Sequence, residues 1–300
     1  MNAAAGMTEP IDQADRAILR LESLCRRHDV VSAGIRVAWR VLGQGPKVLL
    51  LHGGHGSWLH WARNLEVLAQ HYEVHVPDMP GYGDSDTLPT VTLDALLVLM
   101  QSCLQARVDA QEHLTLIGFS FGGLVAAHLA GARTGRSSLV LMGPAGHGGP
   151  RRPIGKLLAW REAAARGDQA GLQAIMRHNL LMHMLHSEEH IDPLALQIHS
   201  QACQRTRFVS KPISHAGGLQ QALGAYQGRL LALFGEHDVT TDPPWVGDLL
   251  TRVLPAAEVQ VFEGYGHWVQ YEAVAAVNQR LLAWLGDVSR DVPEVIAASH

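Results

Sequence analysis

Residues 114–123 read LTLIGFSFGG, an apolar strand-like run that ends in a serine held between glycines. A chain that needs only a corner can use Asn-Gly or Pro-Gly, which cost little strain. Ser120, flanked by Phe119 and Phe121 and bracketed by Gly118 and Gly122, makes sense at an apex when its hydroxyl is wanted there. The spacing G-x-S-x-G predicts a strand over 114–117, a helix over 124–131, and a strained serine whose Oγ projects above a sheet. Gly123 extends the clearance between helix and strand. The competing reading is an ordinary strand-to-helix turn.

Working outward, short apolar runs recur at 47–51, 73–76, 138–142 and 229–234, and a more mixed one at 258–262. Helical patterns separate most of them, which predicts an α/β fold with parallel strands joined by crossover helices. Residues 30–42 read as a strand pair broken near Ala33-Gly34. The polar, Ala-rich residues 1–15 are expected to be mobile, with a helix over 17–27. The regular spacing fails once, at 144–227, a segment rich in His, Arg, Leu and Ala. This predicts a core of residues 16–143 and 228–300 carrying a helical cap over 144–227.

Ligands of open parallel sheets bind beyond the carboxyl ends of the strands. Those ends here read His52-Gly53-Gly54, Asp78-Met79-Pro80-Gly81, Gly118-Phe119-Ser120, Gly235-Glu236-His237-Asp238 and Gly264-Tyr265-Gly266-His267. A serine needs a base to take its proton. In this topology the acid and then the histidine follow it in the chain. Asp238 is the expected acid, with Glu236 and Asp242 as rivals, and His267 is the expected base. The oxyanion donors are expected from the amide of Phe121 and from the glycine turn after the first parallel run, Gly54 in preference to Gly53. The same glycines lack the G-K-[ST] ending of a phosphate loop.

The 300 residues are 47% hydrophobic and 17% charged, with a net charge of -4. That balance gives no basic patch for nucleic acid. No apolar run reaches the roughly 20 residues that span a bilayer, and the start has neither a basic leader nor an apolar run. Cys25, Cys103 and Cys203 are far apart and odd in number, which reads as reduced thiols in a cytoplasmic protein. His183, His186 and His190 have helical spacing that could hold a metal. Without a carboxylate or cysteine in a defined pattern, a solvated or pocket-lining face is the better reading, and no metal is expected. Asp84 and Asp86 read as braces for loops.

Together, HGG, DMPGYGDSD, GFSFGG, GEHD and GYGHW, in that order, resemble the α/β-hydrolase fold over nearly the whole chain from about residue 30. The ending GHWVQYEAVAAVN is similar to bacterial hydrolases that cleave C–C bonds in ring-fission products. That resemblance implies substrate contacts from Gly53, Trp61, Phe119 and Trp268 and no cofactor; Arg205 and Arg207 could grip a substrate carboxylate as a cap arginine of that subgroup does, with ordinary surface arginines as the competing reading. It also has departures: Arg63 and Phe119 stand where that subgroup usually carries asparagine. Aromatic neighbours of the nucleophile suit an apolar acyl or aromatic group. A small-molecule ester or lactone is therefore the first expectation, a vinylogous diketone the second, and a non-catalytic receptor the alternative of another class. An exposed apolar cap face could support a homodimer.

Overall fold

The computed structural model describes residues 5–133 and 137–291. The strands are β1 (Arg26–Arg27), β2 (Val30–Ser32), β3 (Ile35–Val37), β4 (Trp39–Leu42), β5 (Lys47–Leu51), β6 (Glu73–Pro77), β7 (Leu114–Phe119), β8 (Ser137–Met142), β9 (Leu230–Gly235) and β10 (Glu258–Phe262). Each apolar run of the sequence has become a strand. Those in the middle are continuous rather than alternating because helices cover both faces. All six residues of β7 and of β9 are buried.

Eight strands form one sheet in the order β1-β4-β6-β5-β7-β8-β9-β10, and β2 and β3 form a separate hairpin. Pairing is parallel from β6 through β10 and antiparallel at β4–β6 and β1–β4. The hairpin turns at Ala33 and Gly34, both with positive φ. From β5 the chain moves outward to β6 and then returns to β7 on the other side. The ends of β5 and β7 therefore flank the point where strand order reverses, which is where such sheets open a crevice.

The helices before the insertion are α1 (Ala5–Leu24), α2 (Leu65–Ala69), α3 (Leu93–Gln105) and α4 (Phe121–Ala132). Those of the insertion are α5 (Arg161–Ala165), α6 (Gln169–His183), α7 (Pro193–Gln204), α8 (Lys211–Ala216) and α9 (Leu219–Leu223). Then come α10 (Pro243–Val253), α11 (Val269–Glu272) and α12 (Val274–Asp291). Among the described residues, no helix is long and apolar enough to cross a membrane. None of the three cysteines is in a disulfide.

Helix α1 begins at Ala5, earlier than the expected start at 17; residues 1–4 lie outside the described residues. Ala14 and Leu21 are buried and Ile18 packs beside Leu21, at i, i+4 and i+7. This stripe is narrow enough to be hidden in a polar composition. Asp15 on α1 accepts a 2.6 Å hydrogen bond from Gln197 on α7, tying the first helix to the insertion.

A buried ion-pair network holds the loops at the carboxyl end of the sheet. Arg40, only 2% exposed, pairs with Glu22 at 2.7 Å, with Asp78 at 3.1 Å and with Asp84. Asp78 in turn accepts from the amides of Trp58 (2.8 Å) and Asp84 (3.0 Å). One guanidinium thus fixes the loop after β6 against the turn after β5. Asp84 and Asp86 brace loops as expected, Asp86 by accepting from the Arg36 amide at 2.9 Å.

Candidate active site

Ser120 lies between β7 and α4 with φ 52° and ψ −116°, a conformation that costs an L-residue strain. The turn is tight enough that a methyl at Gly122 would collide with the Leu51 carbonyl, so only glycine lets α4 pass β5. The Ser120 amide donates to Met142 at 2.9 Å, and its carbonyl accepts from Gly123 and Ala145. Its side chain does not cap the helix. The backbone is over-determined while the hydroxyl forms no hydrogen bond with any described residue.

Across the crevice, the loops after β9 and β10 bring Asp238 and His267 together. Asp238 Oδ2 is 2.7 Å from His267 Nδ1, and the two residues are 0% and 2% exposed. Oδ1 accepts from the Thr240 amide (2.7 Å) and hydroxyl (2.9 Å). Burial works to raise the Asp238 pKa, but the His267 ring and the Thr240 donors outweigh it and hold the carboxyl below its ordinary value. The carboxylate fixes the ring's Nδ1–H, leaving Nε2 as the free nitrogen. The rival acids are elsewhere: Glu236 accepts from the Gly264 amide at 2.9 Å, and Asp242 lies 3.5 Å from Arg152.

The turn after β5 separates its two glycines. The Gly53 amide donates to His60 Nδ1 at 3.2 Å, and the Gly53 carbonyl is 2.8 Å from His52 Nδ1. His52 Nε2 accepts from the Met79 amide at 2.9 Å, so His52 is a neutral ring with its proton on Nδ1. Gly53 is therefore committed to the scaffold and does not line the cavity, which corrects its expected substrate contact. Gly54 does line it, and among the described residues neither the Gly54 nor the Phe121 amide has an acceptor.

The family model described as alpha/beta hydrolase fold matches residues 46–274. This chain belongs to the α/β-hydrolase family. It is 27% identical over 272 residues to a 2-hydroxy-6-oxo-6-phenylhexa-2,4-dienoate hydrolase of Burkholderia cepacia, covering 85% of this chain and 93% of that one. It is 38% identical over 92 residues to a pimeloyl-[acyl-carrier protein] methyl ester esterase of Vibrio vulnificus, a match spanning only 34% of the esterase and 31% of this chain. An esterase from Rhodococcus sp. superposes with a TM-score of 0.71 at 22% identity, over 88% of this chain and 98% of that one. A meta-cleavage product hydrolase from Pseudomonas fluorescens superposes with 0.65 at 21%, over 87% and 98%. These two likenesses show the fold alone. The family and its relatives make the chain an enzyme of the hydrolase class.

Ser120 and His267 of this hydrolase open on one cavity of about 540 Å³ between the sheet and the insertion. Phe119, buried, packs its ring 4.7 Å from that of His267. Residues 151–160, without regular structure, bring Ile154, Leu157 and Leu158 to the cavity. Asn179 on α6 pins this stretch by bonding both the amide (2.8 Å) and the carbonyl (3.0 Å) of Leu158.

Four expected contacts are corrected. Trp61 is fully buried in the core. Trp268 is fully buried too, donating to the His60 carbonyl at 2.9 Å and stacked on Tyr271. Arg205 pairs with Asp84 at 2.7 Å, and Arg207 bonds the carbonyls of Gly83 and Ser85. None of the four lines the cavity: Trp268, Arg205 and Arg207 have partners in the scaffold, and Trp61 is packed in the core. The histidine trio diverges as well. His183 lines the cavity, His186 stacks on His237 at 3.7 Å, and His190 lies 3.0 Å from Glu272. Among the described residues no group of side chains is placed to hold a metal ion. Sequence reasoning missed Thr240, for which position two residues after Asp238 was the available signal. It also missed His52 and His60, whose roles depend on contacts with no local signature.

Proposed function

We propose that this enzyme is a cofactor-free serine hydrolase acting on a small-molecule carboxylic ester or lactone with an apolar or aromatic acyl group. The buried Asp238–His267 pair, opening on the same cavity as the strained Ser120, carries the reading. His267 Nε2 takes the Ser120 proton as Oγ attacks the carbonyl carbon. The amides of Gly54 and Phe121 receive the oxyanion, and each such donor is worth roughly 100- to 1,000-fold in rate. Collapse expels the alcohol, which leaves with the proton from His267. Water, deprotonated by His267, then attacks the acyl-enzyme, freeing the acid and returning the proton to Ser120. The bond between base and nucleophile closes in the substrate complex, as catalytic hydrogen bonds commonly do.

Phe119 favours an ester or lactone over a C–C substrate. It places an apolar ring where the ring-fission subgroup usually has a polar side chain, so an enol oxygen would find no donor there. Arg63 is likewise committed, to the Tyr271 carbonyl at 3.0 Å and to Asp192. Arg151, Arg161 and Lys211 line the cavity with no carboxylate among its lining residues, which suits an acid with an anionic end.

The test is a parallel assay of short nitrophenyl esters, lactones and a vinylogous 1,5-diketone. Ester or lactone turnover should dominate, and Ser120→Ala should abolish it with the thermal melt unchanged. An organophosphonate should label Ser120 stoichiometrically, and His267→Ala should block the labelling. Near-full turnover by Ser120→Ala would remove the proposal, and dominant diketone cleavage would replace the substrate class.

A further inference from the structure

Several of the remaining polar side chains of the cavity are occupied. Thr240 serves Asp238, Asn179 serves Leu158, and His199 has the Cys203 sulfur 3.7 Å from its Nε2. His183 is different. It ends α6 with its ring centroid 6.0 Å from that of His267, the planes inclined at 66°. Neither ring nitrogen has a hydrogen-bond partner among the described residues, and Nδ1 is shut off from solvent. Leaving such a group unpaired costs free energy unless something that enters the cavity pairs with it.

Its position is fixed by the same loop that carries His267. The amide of Trp268 donates to the Met184 carbonyl at 2.7 Å. Glu272 Oε1 accepts from the amides of His186 (2.8 Å) and Ser187 (3.3 Å). The residues that follow His183 are thus bonded to those that follow His267. Burial and the neighbouring His267 push the His183 pKa down to about 3, so the ring is neutral at working pH and offers one donor and one acceptor.

We propose that His183 is a specificity-determining residue that hydrogen-bonds an oxygen carried by the leaving group beside the scissile bond. The inference rests on the serine-hydrolase reading. His267 delivers the proton to the leaving group, so a ring packed beside His267 meets that part of the substrate rather than the carbonyl oxygen at Gly54 and Phe121. Leaving groups bearing a hydroxyl or carbonyl would satisfy the imidazole, whereas an alkyl group of the same size would strand it.

The experiment compares 2-hydroxyethyl butyrate with propyl butyrate, which match in size and acyl group, by pH-stat kcat/KM. The wild type should prefer the hydroxyethyl ester by roughly 10-fold or more. His183→Phe should bring the ratio close to one, and His183→Gln should retain a preference. Organophosphonate labelling of Ser120 reports that each variant is folded. An unchanged ratio in both variants, or no preference in the wild type, overturns the assignment. Failure to cleave either ester, by a chain that cleaves nitrophenyl esters through Ser120, also overturns it. If Ser120→Ala leaves ester turnover intact, the underlying serine reading has failed instead.

Discussion

Gly143, the residue after β8, adopts φ +46° directly behind the Asp238–His267 pair. A methyl group there would stand 2.6 Å from Asp238 Oδ2 and 3.0 Å from His267 Nδ1. An ordinary contact needs about 3.5 Å, so Oδ2 would have to retreat by roughly 0.9 Å. It cannot do so freely, because Thr240 holds the other carboxylate oxygen with two hydrogen bonds. Gly143→Ala therefore either lengthens the 2.7 Å bond to Nδ1 or turns the imidazole. A displacement of about 1 Å in a catalytic group costs on the order of 100-fold in rate. The left-handed backbone adds about 1–2 kcal/mol of destabilisation. Gly264→Ala separates the two effects, since Gly264 has φ +79° but open space around an added methyl. Gly264→Ala should lose stability in urea titrations from the backbone alone and Gly143→Ala should lose more, from the added clash, and only Gly143→Ala should lose kcat, by roughly 100-fold. Wild-type kcat in Gly143→Ala, or an equal loss in both, would refute the argument that Asp238 acts through its hold on His267.

Arg40→Leu should destabilise the fold by about 3–5 kcal/mol in chemical denaturation, because Asp78 would remain buried without its cation; a loss below about 1 kcal/mol would show that the amides of Trp58 and Asp84 suffice. Burial pushes the pKa of His199 down to about 4 from its ordinary 6.5, so the unfolded chain binds more protons between those values. Stability should therefore be complete above pH 6.5 and fall as the pH drops toward 4, by on the order of 3 kcal/mol from this residue. Stability measured across that range should fall less steeply in His199→Gln, and identical slopes would contradict the assignment.

The α/β order, the strands and the residues that carry the proposed chemistry were legible because each has a local signature. A parallel strand buried on both faces must be apolar throughout, and a strand-to-helix turn as tight as that at Ser120 must be built from glycines. Gly-x-Ser-x-Gly, the acid after β9 and the histidine after β10 are positions in a chain order, which a linear sequence displays. Helix α1 was less legible because its buried stripe is three residues wide in a polar segment.

What a side chain touches across the fold was not legible. Trp268 adjoins His267 in the chain, yet its ring stacks away from the cavity on Tyr271. Arg205 and Arg207 were plausible anion ligands until Asp84 and the carbonyls at 83 and 85 took their donors. His183 looked like one of three helical histidines, and only its distance from His267 sets it apart. Local backbone geometry is dictated by short-range sterics, so the sequence alone determined the layers and the turn that presents Ser120. Pairing between distant polar groups depends on which partner lies nearest after folding, so only the tertiary structure decided that Gly53 serves the scaffold, that Gly54 faces the cavity, and which histidine stands beside the base.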